Sequence, residues 1–254
     1  LAQTAHHIVH MVARLIFLAQ HGDVVVSAVH GRAHQVGGSS VQTHVFPVDV
    51  LFMNDGGDQV AVGREWIAGK RFIEMAVGVD VGGTDATCAT LTGITSGWRD
   101  VVHIDGLYHK QGISEKMTEA RYARAIAEWL KPWTRIYPQI ANVYVDSAAK
   151  LFRAALREEL CKQGMGRIAV IGTDKSDGIR ARIELVCMLL MQGRYHVAEH
   201  LAPWHEALQM ATWDEAAYEK GEWMRLDNGS YPVDALDSSE YSIYPYAGYL
   251  ATVG

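Results

Sequence analysis

Three apolar runs, residues 75–81, 87–94 and 101–108, follow one another with only short turn-forming links between them. Gly82-Gly83-Thr84-Asp85 follows the first run, and Thr95-Ser96-Gly97-Trp98 follows the second. A parallel pair needs a crossover of a dozen residues or more, so links this short leave only antiparallel pairing. The spacing therefore predicts a three-stranded antiparallel meander. Beyond it the pattern turns to alternation. A helix is expected over 114–130, capped by Ser114, with Met117, Tyr122, Ala125, Ile126 and Trp129 as its apolar stripe. Strands over 143–145 and 168–171 alternate with helices over 148–162 and 176–192, which end at Gly164 and Gly193. A short strand over 195–198, a helix over 203–210, a hairpin or loop over 213–229 and a final helix over 233–241 complete the chain.

Three aspartates stand out in that frame. Asp80 lies inside the apolar strand Val77-Gly78-Val79-Asp80-Val81, Asp146 ends Val143-Tyr144-Val145-Asp146, and Asp234 opens a helix in Pro232-Val233-Asp234-Ala235-Leu236. A buried lone carboxylate is costly, so each needs a partner or a metal. Each also has a plain structural reading, and for Asp146, just before Ser147-Ala148-Ala149, helix capping is a real rival. Three antiparallel strands followed by helix–strand–helix–strand–helix is the order of a ribonuclease H-like α/β mixed sheet. In that order the first and fourth strands end side by side, and a late helix brings a third carboxylate to the same edge. Clustered carboxylates repel unless a divalent cation neutralises them, and hard oxygen donors suit Mg²⁺ or Mn²⁺. Two such ions, roughly 3.5–4 Å apart, would serve phosphodiester hydrolysis.

The segments around Asp80, Asp146 and Asp234 resemble the C-terminal nuclease domain of phage terminase large subunits. Tyr108-His109-Lys110, Lys175-Ser176-Asp177-Gly178-Ile179, Leu190-Met191-Gln192-Gly193-Arg194-Tyr195 and Trp213-Asp214-Glu215 add supporting blocks. The resemblance covers about residues 73–245. It implies a metal-dependent endonuclease that cuts concatemeric double-stranded viral DNA at the start and end of packaging. It further implies Asp80, Asp146 and Asp234 as catalytic metal ligands, and a lysine near the metal, for which Lys175 is the candidate. Portal protein and small terminase subunit are the implied partners, and the host cytoplasm the implied location. The family often has His three residues before the last aspartate, where this chain has Tyr231, and an Arg shortly after it, where this chain has Asp237. Asp234 and Asp237 share one helix face, so Asp237 is an alternative or additional ligand.

Charge narrows the reading further. The 254 residues carry 23 Lys and Arg against 29 Asp and Glu, a net charge of −6. A protein that coats nucleic acid with an all-round basic surface is excluded. Eight basic residues nevertheless cluster between 150 and 182. Lys150, Arg153, Arg157, Lys175, Arg180 and Arg182 are the candidates for tracking a duplex backbone, with Lys162 and Arg167 beside them. A solvated helix face is the competing reading. Cys88, Cys161 and Cys187 lie far apart and form no CxxC pair, so neither a disulfide framework nor a zinc knuckle is expected. The longest apolar run, residues 8–18, is too short to cross a bilayer, and no membrane association is expected.

Residues 1–72 differ in character from 73–254, the expected nuclease domain. They hold seven of the twelve histidines and balanced charge. A helix over 8–20 and strands over 23–29 and 45–52 are expected there. His6, His7 and His10 share a helical face without an acid or Cys to complete a metal site. Gly63 to Arg71 is no P-loop, because five residues separate the glycines and Arg71 replaces the metal-binding Ser or Thr. The chain thus reads as a nuclease part without a motor, and its opening Leu suggests a processed or excised fragment. Two other functions remain open. Val79-Asp80-Val81-Gly82-Gly83-Thr84-Asp85 also resembles the first phosphate loop of sugar-kinase or actin-like ATPases, which need a second lobe and a second Gly-rich loop. A non-catalytic assembly protein that keeps only the fold is the other.

Overall fold

The short links do force antiparallel pairing. In the computed structural model, which describes residues 60–82, 86–110 and 117–253, β1 (Ala61–Val62) and α1 (Arg64–Ala68) lead into the meander β2 (Phe72–Val81), β3 (Ala86–Thr95) and β4 (Val101–Lys110). β2 pairs antiparallel with β3, and β3 with β4. Alternation follows: α2 (Glu119–Ile136), β5 (Asn142–Val145), α3 (Lys150–Lys162), β6 (Ala169–Gly172), α4 (Gly178–Met191) and β7 (Tyr195–Ala198). α5 (Ala202–Met210), α6 (Glu215–Tyr218), α7 (Val233–Ile243) and α8 (Ala247–Leu250) complete the described elements. The seven strands form one mixed sheet in the order β1-β7-β4-β3-β2-β5-β6, with β5 parallel to β2, β6 to β5 and β7 to β4. The sheet reaches back before residue 73, because Ala61–Val62 pairs in parallel with β7.

Helices cover both faces, so β3 is buried along its whole length. On one face Asp105, opposite Leu91 in the ladder, accepts the indole N–H groups of Trp129 (2.9 Å) and Trp133 (2.7 Å) from α2. That anchor explains why α2 runs past Leu130 and through Pro132 to Ile136, further than its stripe predicts. Its N-cap is Thr118, whose hydroxyl accepts from Arg121 N; Ser114, the expected cap, lies outside the described residues. So do Gly83, Thr84 and Asp85 of the first turn, the elements expected over 8–20, 23–29 and 45–52, and His6, His7 and His10. The 213–229 segment holds one antiparallel bridge, Trp213 to Arg225, around the single turn of α6.

On the other face α7 lies directly on β2 and β3. A Cβ at Gly78 would sit 1.9 Å from the Ser238 carbonyl oxygen and 2.6 Å from Ser242 N, so only glycine lets the helix backbone come this close. The serines that line the contact are buried and paired across it. Thr90 Oγ1 meets Ser238 Oγ at 2.6 Å, Thr92 Oγ1 meets Ser242 Oγ at 2.6 Å, and Tyr195 donates to Ser239 Oγ. Each hydroxyl buried at this seam has a hydrogen bond to offset its desolvation. α5 packs beside it, with Trp204 seated against Gly106 and its indole donating to Thr90 Oγ1 at 2.9 Å.

This contact sets a stability test. Gly78→Ala forces a methyl into backbone that cannot yield, and the expected loss is about 3 kcal/mol. Gly248→Ala, where an added Cβ meets nothing within 4 Å, should stay within about 0.5 kcal/mol of the parent. Urea unfolding of the two variants checks the difference, and equal midpoints would show that the seam is looser than described.

Candidate active site

Val79 and Val145 are ladder partners on parallel neighbours, so Asp80 and Asp146 leave the sheet side by side at the carboxyl ends of β2 and β5. Asp146 N also donates to Val79 O at 3.3 Å. α7 runs antiparallel to β2, since Ser242 lies near Thr92 and Ser238 near Thr90, and its first turns deliver Asp234 and Asp237 to the same end. Four carboxylates from three distant segments thus converge on one sheet edge.

Their mutual effect is visible at Asp80. Its side chain is densely surrounded although solvent still reaches it. Burial first, then the charges of Asp237, Asp234 and Asp146, holds its carboxyl well above the usual range, and Lys175 only partly offsets them. Asp146 behaves in the opposite way. Burial pulls its carboxyl up, but hydrogen bonds from Lys175 Nζ to Oδ2 (2.8 Å) and from Ala148 N to Oδ1 (2.8 Å) outweigh that, and it titrates below the usual range. The capping alternative is resolved in part. Asp146 holds the Ser147–Ala148 turn through Ala148 N, whereas the N-cap of α3 is Ala149, with no side-chain cap.

Behind the carboxylates lies a buried charge network. Arg182 of α4 donates to Glu240 (3.2 Å) and Asp237 (3.3 Å), and Arg225 donates to Asp237 (3.3 Å) and to Glu240. Two guanidiniums facing two carboxylates leave no net charge in the interior, the condition under which buried ion pairs are tolerated. Burial alone would pull the Arg225 guanidinium down, yet Glu240 and Asp237 raise it above its ordinary value. Tyr241, on the same helix, is pushed up by burial, then by Asp237 and Asp80. Tyr108, across from Cys88 in the ladder, is pushed up to about 12 by burial and then by Asp234.

The expected basic face divides. Arg182 is buried in this network and does not face solvent, because Asp237 and Glu240 draw its guanidinium inward. Arg153 donates to the carbonyls of Asp146 and Ser147 and braces the turn that carries Asp146. Arg157 donates to Val170 O, and Arg180 pairs with Glu184 while lying over the Trp223 ring. Lys150 is exposed at the start of α3, and Lys162 and Arg167 are exposed as well. Tyr231 is buried and donates to Leu226 O at 2.7 Å. Arg225 and Glu240 escaped the sequence reading. The one available signal was Glu240 within an otherwise small and apolar helix face, since its partners are 15 and 58 residues away.

The donor set, four carboxylate groups brought to one edge, suits a hard divalent cation. Among the described residues, no three His, Cys, Asp or Glu side chains are already drawn together as ligands. Asp146 is held by Lys175, and Asp237 is shared by two arginines. Asp80, Asp146 and Asp234 would hold the ion, with Asp237 reaching it only in competition with Arg182 and Arg225.

No family model and no curated protein matches the chain. Solved structures do. The large terminase of a thermophilic bacteriophage aligns with a TM-score of 0.55 and 18% identity, over 69% of this chain and 40% of that one. A second crystal form of the same protein gives 0.54 and 19%, over 72% and 41%. The nuclease domain of the bacteriophage SPP1 large terminase with bound Mn superposes more loosely, at 0.49 with 14% identity over 74% and 93%, too loosely to add to the likeness. The chain spans about 40% of the thermophilic phage terminase it matches. With a three-stranded meander, parallel strands beside it and helices on both faces, the described residues have the ribonuclease H-like fold found in large terminases.

Proposed function

We propose that this chain is the nuclease part of a terminase large subunit, a metal-dependent endonuclease that cuts double-stranded viral DNA during genome packaging. The observation that carries the reading is the convergence of Asp80, Asp146 and the two α7 aspartates at the carboxyl ends of β2 and β5. The fold shared with the large terminase of the thermophilic phage supports it. Mg²⁺ or Mn²⁺, as a pair of ions, would supply an activated water and neutralise charge on the leaving oxygen. The protein's share is to hold the ligands. β2 and β5 fix Asp80 and Asp146 on rigid strand ends, Arg153 and Ala148 N orient the turn at Asp146, and the arginine pair fixes α7 so that Asp234 faces the cluster. Lys150 and Arg180, with Lys162 and Arg167 further along, would make backbone contacts to duplex DNA without reading its sequence. The nuclease domain then comprises residues 73–254 together with the strand at Ala61–Val62. Portal protein and the small terminase subunit would be its partners in the host cytoplasm. Among the described residues no helix is long and apolar enough to cross a membrane.

Nicking of supercoiled plasmid tests the reading. Asp80→Ala, Asp146→Ala and Asp234→Ala should each abolish nicking while keeping the fold, and excess EDTA should abolish it in the parent. Asp237→Asn should act mainly on stability, since it leaves two buried guanidiniums with Glu240 alone, a loss on the order of 3 kcal/mol. Full nicking in EDTA would sink the metal reading. A dead but fully stable Asp237→Asn would make Asp237, not Asp234, the third ligand.

Asp80 gives a pH-dependent test. A carboxyl raised in the folded state costs stability once pH exceeds its unfolded value, and the cost grows until the folded group is ionised. Asp80→Asn should therefore raise the melting temperature of metal-free protein at pH 7, with the gain shrinking toward pH 4. A gain that is the same at both values would assign the effect to packing instead of charge.

A further inference from the structure

We infer that Lys175 is a built-in counter-cation of the carboxylate cluster, which holds Asp146 in the metal-free protein and competes with a divalent ion for the same oxygen. The inference rests on the nuclease reading above and adds a regulatory element to that site. Its basis is geometric. Asp146 has both oxygens engaged, Oδ1 by Ala148 N and Oδ2 by Lys175 Nζ, each at 2.8 Å. The two donors differ in kind. The Ala148 N–H belongs to the turn that orients the carboxylate and can persist beside a metal on the other oxygen. The Lys175 ammonium is a full charge on the other oxygen, Oδ2, and its field also reaches Asp80. A cation cannot take that oxygen at full strength while the ammonium remains.

The fold also gives the lysine freedom to leave. It sits in the exposed 174–178 segment between β6 and α4. Thr173 N to Val145 O (2.8 Å) anchors this segment at one end, the Tyr244 hydroxyl donating to Asp177 Oδ2 (2.7 Å) anchors it near the other, and Asp174 accepts from Ser176 N (2.9 Å) within it, so the freedom is that of the lysine side chain. The side chain is 37% exposed. The Tyr241 ring, 5.1 Å from Nζ, offers a second cation contact that does not involve Asp146. Withdrawal would break the ion pair with Asp146 and lengthen the contact with Tyr241, both made by Nζ in the same position. The displaced ammonium would then stand at the rim of the site, where a DNA phosphate would arrive.

The test is calorimetric titration of the whole metal-free chain with Mn²⁺, without DNA. Lys175→Met should bind Mn²⁺ about threefold to fivefold more tightly than the parent, the scale of one partly screened ion pair. Lys175→Arg, which keeps a cation, should show little of that gain. In an Asp146→Asn background, Lys175→Met should gain nothing, because the competed oxygen is no longer charged. Melting curves in EDTA confirm that each variant folds. Parent-like or weaker Mn²⁺ binding by Lys175→Met overturns the inference and leaves the nuclease reading standing. A gain that persists in Asp146→Asn also overturns it, because the lysine then acts only as a nearby charge. If neither the parent nor Lys175→Met binds Mn²⁺ at millimolar concentration, the metal-dependent reading itself falls.

Discussion

The architecture depends on one close approach, the backbone of α7 against Gly78 of β2. Interiors pack to crystal-like density, and a helix usually stands off a sheet by the length of its side chains. Here the side chains at the contact are Ala, Ser and Gly, so the helix sinks until its carbonyls meet the strand. The serine and threonine hydroxyls pair across the seam and replace the hydration they lose. The consequence is positional. A helix held this tightly delivers Asp234 and Asp237 to the cluster at a fixed height and rotation, and looser packing would blur that geometry.

Charge placement builds on the same seam. A helix that carries Asp234, Asp237 and Glu240 into the interior would be costly alone. Arg182 and Arg225 reach it from two other segments and neutralise its inner side. The outer side, toward Asp80 and Asp146, has Lys175 as its cation, and the Asp80 carboxyl there is raised by burial first and then by Asp237, Asp234 and Asp146. One helix therefore carries Asp237 and Glu240 into a buried charge network and places Asp234 beside Asp80, less than a turn apart.

The meander was legible because its links are too short for any other pairing, and the alternating helices and strands were legible from periodicity and glycine stops. Asp80 and Asp146 were legible because a carboxylate in an apolar strand is conspicuous. Other features were not. The length of α2 depends on Trp129 and Trp133 finding Asp105, 24 and 28 residues away, and no local pattern announces that. Arg182 looked like one more surface cation in a basic stretch, because spacing records its neighbours on α4 and not the Glu240 that claims it. Arg225 sits in the segment expected as a hairpin or loop, where a buried arginine leaves no periodic signal.

The sequence by itself determined local conformation and the strand-end position of two carboxylates. Those follow from turn chemistry, side-chain period and the cost of burying charge, all of which act over a few residues. Only the tertiary structure decided which charges neutralise each other. Asp234 and Asp237 are three residues apart and chemically identical, yet one is shared by two arginines and the other sits in the electrostatic reach of Tyr108 and Asp80. What distinguishes them is the rotation of α7 on β2. That rotation is fixed by the Gly78 contact with a helix about 160 residues further along the chain, a separation over which packing carries information and sequence spacing does not.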